Sequence, residues 1–236
     1  MCSDRVRLFQ TLPHACGYYD DRTAQNLVVD PGAPNLDRLY GGALAKGFRR
    51  AGGHLYLPRC SECQACVPCR IDVERFVPDR AQRRCLKRNA DLAVAETMPG
   101  YTDERHDLYA SYLHARHSGG GMDGADADDF QRFLVAPWSP TVFLEFRREE
   151  RLLGVAVTDL CIGGASAVYT FFDPDESPRS LGTFGILQQI ELAKRRGIPF
   201  LYLGFWIEGH PKMDYKSRFH ALEVRRNGQW VDMAAR

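Results

Sequence analysis

Apolar positions along this 236-residue chain change their period several times, and each change marks an element. Aromatic residues and Gly/Asp turn chemistry around CGYYDDR leave residues 1–30 irregular, apart from a short apolar strand at Leu27 to Val29. Leu36, Leu39, Tyr40, Ala43 and Leu44 then recur at helical spacing, which predicts an amphipathic helix ending near Gly47. HLYL at 54–57 and RIDV at 70–73 predict two strands with a cysteine-rich connection between them. Asp79 is placed as the N-cap of a helix running to about residue 90, followed by a strand at 92–95. Met98-Pro99-Gly100 breaks the pattern and is the expected boundary between a Cys-rich domain of residues 1–98 and a second domain of residues 99–236.

Past that break, Leu108, Tyr109, Tyr112 and Leu113 share one face of a predicted helix over 103–117. SGGGMDGADADD follows, a run too rich in Gly and Asp for regular structure and expected to be mobile. From residue 141 the pattern reads strand, turn at 148–150, strand, turn at Gly163-Gly164, strand, loop, long helix over 180–196, and strand from Phe200. Three antiparallel strands, a helix and a strand is the element order of the GNAT acyltransferases. An α+β, GNAT-like fold is therefore expected, and a duplicate of it in residues 1–100 stays open.

Composition narrows the class. With 44% hydrophobic and 26% charged residues the chain has the apolar content to fold, which excludes a disordered chain. Its apolar runs fall well short of the ~18 residues that span a bilayer, and the polar start MCSDRVR lacks a secretory core, so a cytoplasmic protein with no membrane partner is expected. Lys and Arg number 31 against 30 Asp and Glu, so any nucleic-acid surface has to be a local patch.

Four constellations carry candidate chemistry. Arg80, Arg83, Arg84 and Lys87 fall at i, i+3, i+4 and i+7 with Arg88 beside them, a cationic helix face suited to a phosphate backbone, against the plainer reading of a solvated face. Arg49, Arg50 and Arg75 add to the nucleic-acid reading. In CSECQACVPC, thiols at Cys60, Cys63, Cys66 and Cys69 recur every third residue, as ligands of zinc or an iron-sulfur cluster do; Cys16 or Cys85 would complete the set, and packing thiols are the alternative. PRSLGTFG places Arg179, Ser180, Gly182, Thr183 and Gly185 where a strand hands over to the long helix, a position where backbone N–H groups receive anions, or where Ser180 is simply a cap. After the strand from Phe200, Glu208, His210, Lys212, Tyr215 and Lys216 crowd the mouth of the expected crevice, with groups able to bind anions, orient an amine or stabilise an oxyanion.

The segments RRAGGHLYLPRCSECQACVPCRI, QRRCLKRNADL, RHSGGGMD, TFFDPDESPRSLGTFGILQQIELAK and YLGFWIEGHPKMDYKSRFHALE closely resemble the bacterial leucyl-tRNA-protein transferases, or aspartate/glutamate leucyltransferases, relatives of the arginyl-tRNA-protein transferases. The resemblance implies transfer of leucine from leucyl-tRNA to the α-amine of proteins beginning with Asp or Glu, in the N-degron pathway, on a GNAT-like fold that takes aminoacyl-tRNA instead of acyl-CoA. On that reading Glu208, Tyr215 and Lys216 are the catalytic residues. Arg80, Arg83, Arg84, Lys87, Arg88, Arg179, Ser180, Gly182, Thr183 and Lys212 bind substrate, with Lys212, Lys216 and Arg179 the candidate cations for the acceptor carboxylate. Eukaryotic relatives hold metal at a CGYC-like motif; here Cys16-Gly17-Tyr18-Tyr19 keeps its first cysteine, so Cys16, Cys60, Cys63 and Cys66 are the implied zinc or iron-sulfur ligands, although the chemistry itself requires no cofactor. An arginyl donor, a CoA-dependent N-acetyltransferase and a non-catalytic RNA-binding module are the alternatives.

Overall fold

The computed structural model describes residues 6–117 and 126–233. Four short strands, β1 (Leu8–Gln10), β4 (Asn26–Val29), β5 (Arg49–Ala51) and β6 (His54–Pro58), form an antiparallel sheet in the order β1-β4-β6-β5, and β2 (His14–Ala15) pairs with β3 (Thr23–Ala24). Helix α1 (Leu36–Ala45) lies between β4 and β5 and buries Leu36, Tyr40 and Leu44, the apolar stripe predicted from spacing.

Eight further strands build the main sheet: β7 (Val67–Asp72), β8 (Ala93–Thr97), β9 (Thr141–Arg148), β10 (Arg151–Cys161), β11 (Gly164–Phe172), β12 (Phe200–Trp206), β13 (Leu222–Arg226) and β14 (Gln229–Asp232). Their order is β14-β13-β7-β12-β11-β10-β9-β8, antiparallel throughout except for β11 beside β12. The expected division at residue 98 therefore does not separate two sheets: β7 sits in the middle of this one and β8 forms its edge. The strand, strand, strand, helix, strand order does recur before residue 100, as β5-β6-β7-α2-β8, but β5 and β6 lie in the small sheet and β7 and β8 at separate places in the main one, so these elements form no second copy of the sheet.

Helices α2 (Arg80–Arg88) and α5 (Leu181–Arg195) cover one face of the main sheet, joining Cys85, Leu181, Phe184, Leu187 and Ile190 to Phe146, Ala156 and Leu201. On the other face α3 (Asp103–His117) and α4 (Ala127–Leu134) pack Tyr109, Leu113, Phe130 and Leu134 against Phe143, Val155 and Phe171. Each such fully buried side chain contributes about 1.5–3 kcal/mol. Beside α3, on that same face, α1 and the small sheet cover Cys161 and Tyr202. Local sequence explains the helix starts: Asp79 and Gln82 form a reciprocal capping box on α2, and Asp126 and Asp129 do the same on α4. The Gly/Asp run expected to be mobile lies partly at 118–125, outside the described residues, but its last part, from Asp126, is the start of α4 and is regular.

The parallel pair is where the sheet opens. β11 and β12 are in register only at Ala165 with Leu201 and Ser166 with Tyr202. Past these pairs β11 follows β10 as far as Phe172, while β12 bulges at Tyr202/Gly204 and follows β7 to Trp206. The two strands thus splay apart over their C-terminal halves, which is where a sheet of this kind opens a crevice.

Candidate active site

Arg49, from β5 of the small sheet, reaches into this splay. Its Nη2 donates to the Val168 carbonyl of β11 at 2.8 Å, and its guanidinium lies over Gly204 of β12, where a Cβ would sit 2.7 Å from Nη1. Gly204 also has φ +76°, a conformation that a side chain would strain. Tyr56, Tyr18 and Tyr215 are the electrostatic neighbours of Arg49. Burial pushes the Tyr18 hydroxyl up to about 12, so the phenol stays protonated at neutral pH.

The segment after β12 folds back under this opening. Trp206 Nε1 donates to Asp214 at 2.9 Å, and His210 pairs Nε2 with the Tyr18 carbonyl at 3.1 Å while both Tyr18 and Tyr19 meet its ring edge-on. Lys216 is buried at 3% exposure, with Nζ donating to the Phe205 carbonyl and lying 3.7 Å from Met213 Sδ. Pro68, opposite Phe205 in the β12–β7 register, has no N–H, so the lysine supplies a donor where the ladder has none. Desolvation pulls the Lys216 ammonium down to about 8, with Arg49 adding to the shift and Cys69 and Cys66 opposing it. Tyr215 keeps 38% of its surface, yet withdrawal from water pushes its hydroxyl up to about 12, against the pull of Arg49. Glu208 and Lys212 are exposed, the Lys212 backbone N–H donating to His210 Nδ1 at 3.2 Å.

On the opposite face, α2 holds Arg80, Arg83, Arg84, Lys87 and Arg88 outward, because Gln82, Cys85 and Asn89 take its buried side. Arg49, Arg50 and Arg75 do not extend that patch: Arg50 is buried on Asp159, Arg75 pairs with Asp232 and Glu223, and Arg49 is in the splay. The turn at Arg179 and Ser180 is tied to α2 through its carbonyls. Asn89 Nδ2 donates to the Arg179 carbonyl at 2.9 Å, Cys85 Sγ lies 3.7 Å from both turn carbonyls, and Arg88 donates to Pro178. Arg179, a candidate cation for substrate, grips Asp91 through two nitrogens at 2.8 Å and Glu176 at 2.8 Å. Ser180, in the left-handed region, makes no side-chain cap; Gly182 and Thr183 lie half-buried in the first turn of α5.

Cys16, Cys60, Cys63 and Cys66 gather in one half-buried neighbourhood, whereas Cys85 is on α2 and Cys69 is buried in β7. Burial, then Cys16, Cys63 and Cys60, push the Cys66 thiol up to about 12. The Ala65 N–H lowers Cys63, helped by Arg22, whose Nη1 is 3.3 Å from its sulfur. Cys60 Sγ points at the Gln25 carbonyl, 3.8 Å away. As they stand, no three His, Cys, Asp or Glu side chains among the described residues converge as a metal site.

Lys216 and Tyr215, electrostatic neighbours of Arg49, and Glu208, in the loop after β12, are legible as a post-strand cluster, whereas Arg49 is not. Its signal, the first of two adjacent arginines ahead of Ala51-Gly52-Gly53, looks like any surface turn until its guanidinium is seen over Gly204 of β12.

The two halves of the chain match the two parts of one family model: residues 14–84 match "Arginine-tRNA-protein transferase, N terminus" and residues 104–226 match "Arginine-tRNA-protein transferase, C terminus". The class is thus that of the aminoacyl-tRNA-protein transferases. Proteins named aspartate/glutamate leucyltransferase are 54% identical in Stenotrophomonas maltophilia (strain K279a), over 97% of this chain and 94% of the relative. Those of Xylella fastidiosa (strain 9a5c) and Saccharophagus degradans are 49% and 46% identical, over 96% and 97% of this chain and 92% and 97% of theirs. The chain belongs to the aspartate/glutamate leucyltransferase family. Among solved structures, L-PGS from Bacillus licheniformis aligns at TM-score 0.49 and 10% identity over 65% of this chain and 49% of that one. No helix among the described residues is long and apolar enough to cross a membrane.

Proposed function

We propose that this chain carries leucine from leucyl-tRNA to the α-amine of proteins that begin with Asp or Glu, in the cytoplasm, marking them for N-degron degradation, and that the splay between β11 and β12 is where the ester meets the amine. The observation that carries the reading is the buried Lys216 amine, drawn down to about 8, under the open end of β12 with Tyr215 beside it. Splayed parallel strands after three antiparallel strands and a helix are read here as GNAT-like. In the reaction the neutral α-amine attacks the ester carbonyl, the C–N bond forms, and the bond to the terminal ribose oxygen breaks. The amine's proton leaves as the ribose oxygen takes one up. An α-amine titrates near 8, so Lys216, titrating in the same range, can take that proton without a large mismatch. Tyr215, protonated at neutral pH, can donate to the developing oxyanion, and Glu208, at the exposed start of the loop, to which we assign a catalytic role, can receive the incoming ammonium. No covalent intermediate is needed, because the ester is already activated.

The tRNA is placed along Arg80, Arg83, Arg84, Lys87 and Arg88, with the α5 turn at Ser180, Gly182 and Thr183 next to it holding the 3′ end. Lys212 is assigned to the rim of the acceptor site. For Cys16, Cys60, Cys63 and Cys66, four soft donors in one neighbourhood suit zinc or an iron-sulfur cluster, but their present arrangement does not fit one, and no step is assigned to a metal. The test is a peptide starting with Asp, mixed with labelled leucyl-tRNA: label moves to the peptide, and Lys216→Met lowers that rate far more than it lowers tRNA affinity.

A further inference from the structure

Most of the half-buried and fully buried arginines among the described residues come with acids; Arg225, half-buried with its Nε unpartnered, does not. Arg50 has Asp159, Arg105 has Glu145, Arg70 has Glu223 and Arg179 has Asp91 and Glu176. Arg49 is half-buried and, like Arg225, has no carboxylate within 4.0 Å of its guanidinium among the described residues, nor has the Lys216 ammonium; Arg49 opposes the charged form of Lys216, while its tyrosine neighbours favour its own. Of the five N–H groups of Arg49, the bond to Val168 is the one recorded among the described residues. A guanidinium with unused donors and no counter-ion, taken partly out of water, is costly unless a ligand completes it. Nearby, on the same splayed strand, the Tyr169 hydroxyl is buried without a partner, and Arg49 acts on its proton affinity.

The position is built, and it faces one way. Gly204 clears the space that the guanidinium fills, the Val168 bond holds the fork across the opening, and the hydroxyls of Tyr56, Tyr18 and Tyr215 act on it electrostatically. The exposed cations suited to a phosphate backbone are on α2, across the sheet with α5. An anion arriving at Arg49 comes from the small-sheet side, away from the α2 cations, and meets a single planar fork, which suits a compact carboxylate better than a phosphate chain.

We propose that Arg49 binds the side-chain carboxylate of the acceptor's first residue and so sets the preference for acidic N-termini; this rests on the leucyl-transfer reading above. Charge-assisted bonds of this kind contribute about 1.5–3 kcal/mol, so discrimination of Asp from the isosteric, uncharged Asn is expected at about 10- to 150-fold.

The test compares kcat/KM for peptides starting with Asp, Asn and Ala, with leucyl-tRNA affinity over a salt series, in the wild type, Arg49→Gln and Arg49→Lys. Gln keeps a donor for Val168 and removes the charge; Lys keeps the charge and, should Gln fold poorly, still reports on it. The expected result is an Asp-to-Asn ratio near one in Arg49→Gln, a ratio partly kept in Arg49→Lys, and unchanged tRNA affinity in both. An unchanged ratio, equal losses on Asp and Asn, or weaker tRNA binding with a shallower salt slope would overturn the proposal, the last pointing to a tRNA phosphate instead. A wild type that moves no leucine to any peptide would instead bring down the parent reading, and that failure is visible before any variant is made.

Discussion

Arg50 and Asp159 hold each other through two bonds, Nε to Oδ2 at 2.6 Å and Nη2 to Oδ1 at 3.0 Å, with neither side chain exposed. Their surroundings complete the satisfaction of both charges. Asp159 also accepts from Tyr40 at 2.8 Å and Thr141 at 2.6 Å, and Arg50 donates to the carbonyls of Gly52 and Leu134, each at 3.0 Å. The pair joins β5 of the small sheet to β10 of the main one, and Arg49, the next residue in β5, is thereby aimed at the splay. A charge pair between the N-terminal and C-terminal parts thus helps set the geometry of the splay.

Removing one partner leaves the other buried and unpaired. Asp159→Ala is expected to destabilise by about 3–5 kcal/mol, read from urea unfolding monitored by tryptophan fluorescence. A loss below about 1 kcal/mol would mean that the pair does not join the sheets.

Lys216 makes stability depend on pH in a defined direction. Its folded value of about 8 is below the usual 10.5, so the unfolded chain binds the extra proton between those limits and stability rises with pH across that window. The wild type should therefore gain on Lys216→Met by about 3 kcal/mol between pH 7 and 10.5, at 1.36 kcal/mol per unit. Comparing the two proteins cancels the tyrosines and cysteines that titrate in the same range. A difference that stays flat with pH would place the amine in its ordinary range and remove it as a proton acceptor near neutrality.

The α2 stripe predicts a salt effect. Arg84→Glu with Lys87→Glu should weaken leucyl-tRNA binding and lower the slope of log K against log salt by about 1 to 2, without loss of fold, since both side chains are exposed. Identical affinity and slope across a salt titration would make the helix a solvated face.

For the thiol cluster, whose present arrangement fits no metal, metal-free protein after anaerobic purification is the expected result; near-stoichiometric zinc or iron, lost in Cys63→Ser with Cys66→Ser, would overturn it. Metal-free protein with full activity would leave Cys16, Cys60, Cys63 and Cys66 as packing thiols and the Arg22 bond to Cys63 as their main tie.

Sequence disclosed most clearly what local rules determine. Asp79 and Gln82 announce α2, and the stripe from Leu36 to Leu44 announces α1, because capping and 3.6-residue spacing act over a few residues. The same rules were available for two elements that went unread. Asp126 and Asp129 box α4 but stand at the end of a Gly/Asp run that masks them, and Asn227-Gly228, with φ +48° and +82°, turns the β13–β14 hairpin. What could not be read is long-range: β7 enters the main sheet between β12 and β13, which brings the cysteine loop to the site. Of the site itself, the cluster from Glu208 to Lys216 was visible as polar residues after an apolar strand. Arg49 was misassigned with Arg50 and Arg75 to a basic patch, because only the sheet shows that the three point to different places.

The central claim is leucyl transfer from tRNA to an acidic N-terminus, and one assay addresses it directly. Purified protein is given a peptide beginning with Asp together with labelled leucyl-tRNA, arginyl-tRNA or acetyl-CoA in parallel, and label on the peptide is measured by mass. The account predicts a gain of one leucyl group from leucyl-tRNA and none from the other two donors. Label from arginyl-tRNA alone, an acetylated peptide, or tRNA bound with no transfer at all would contradict it.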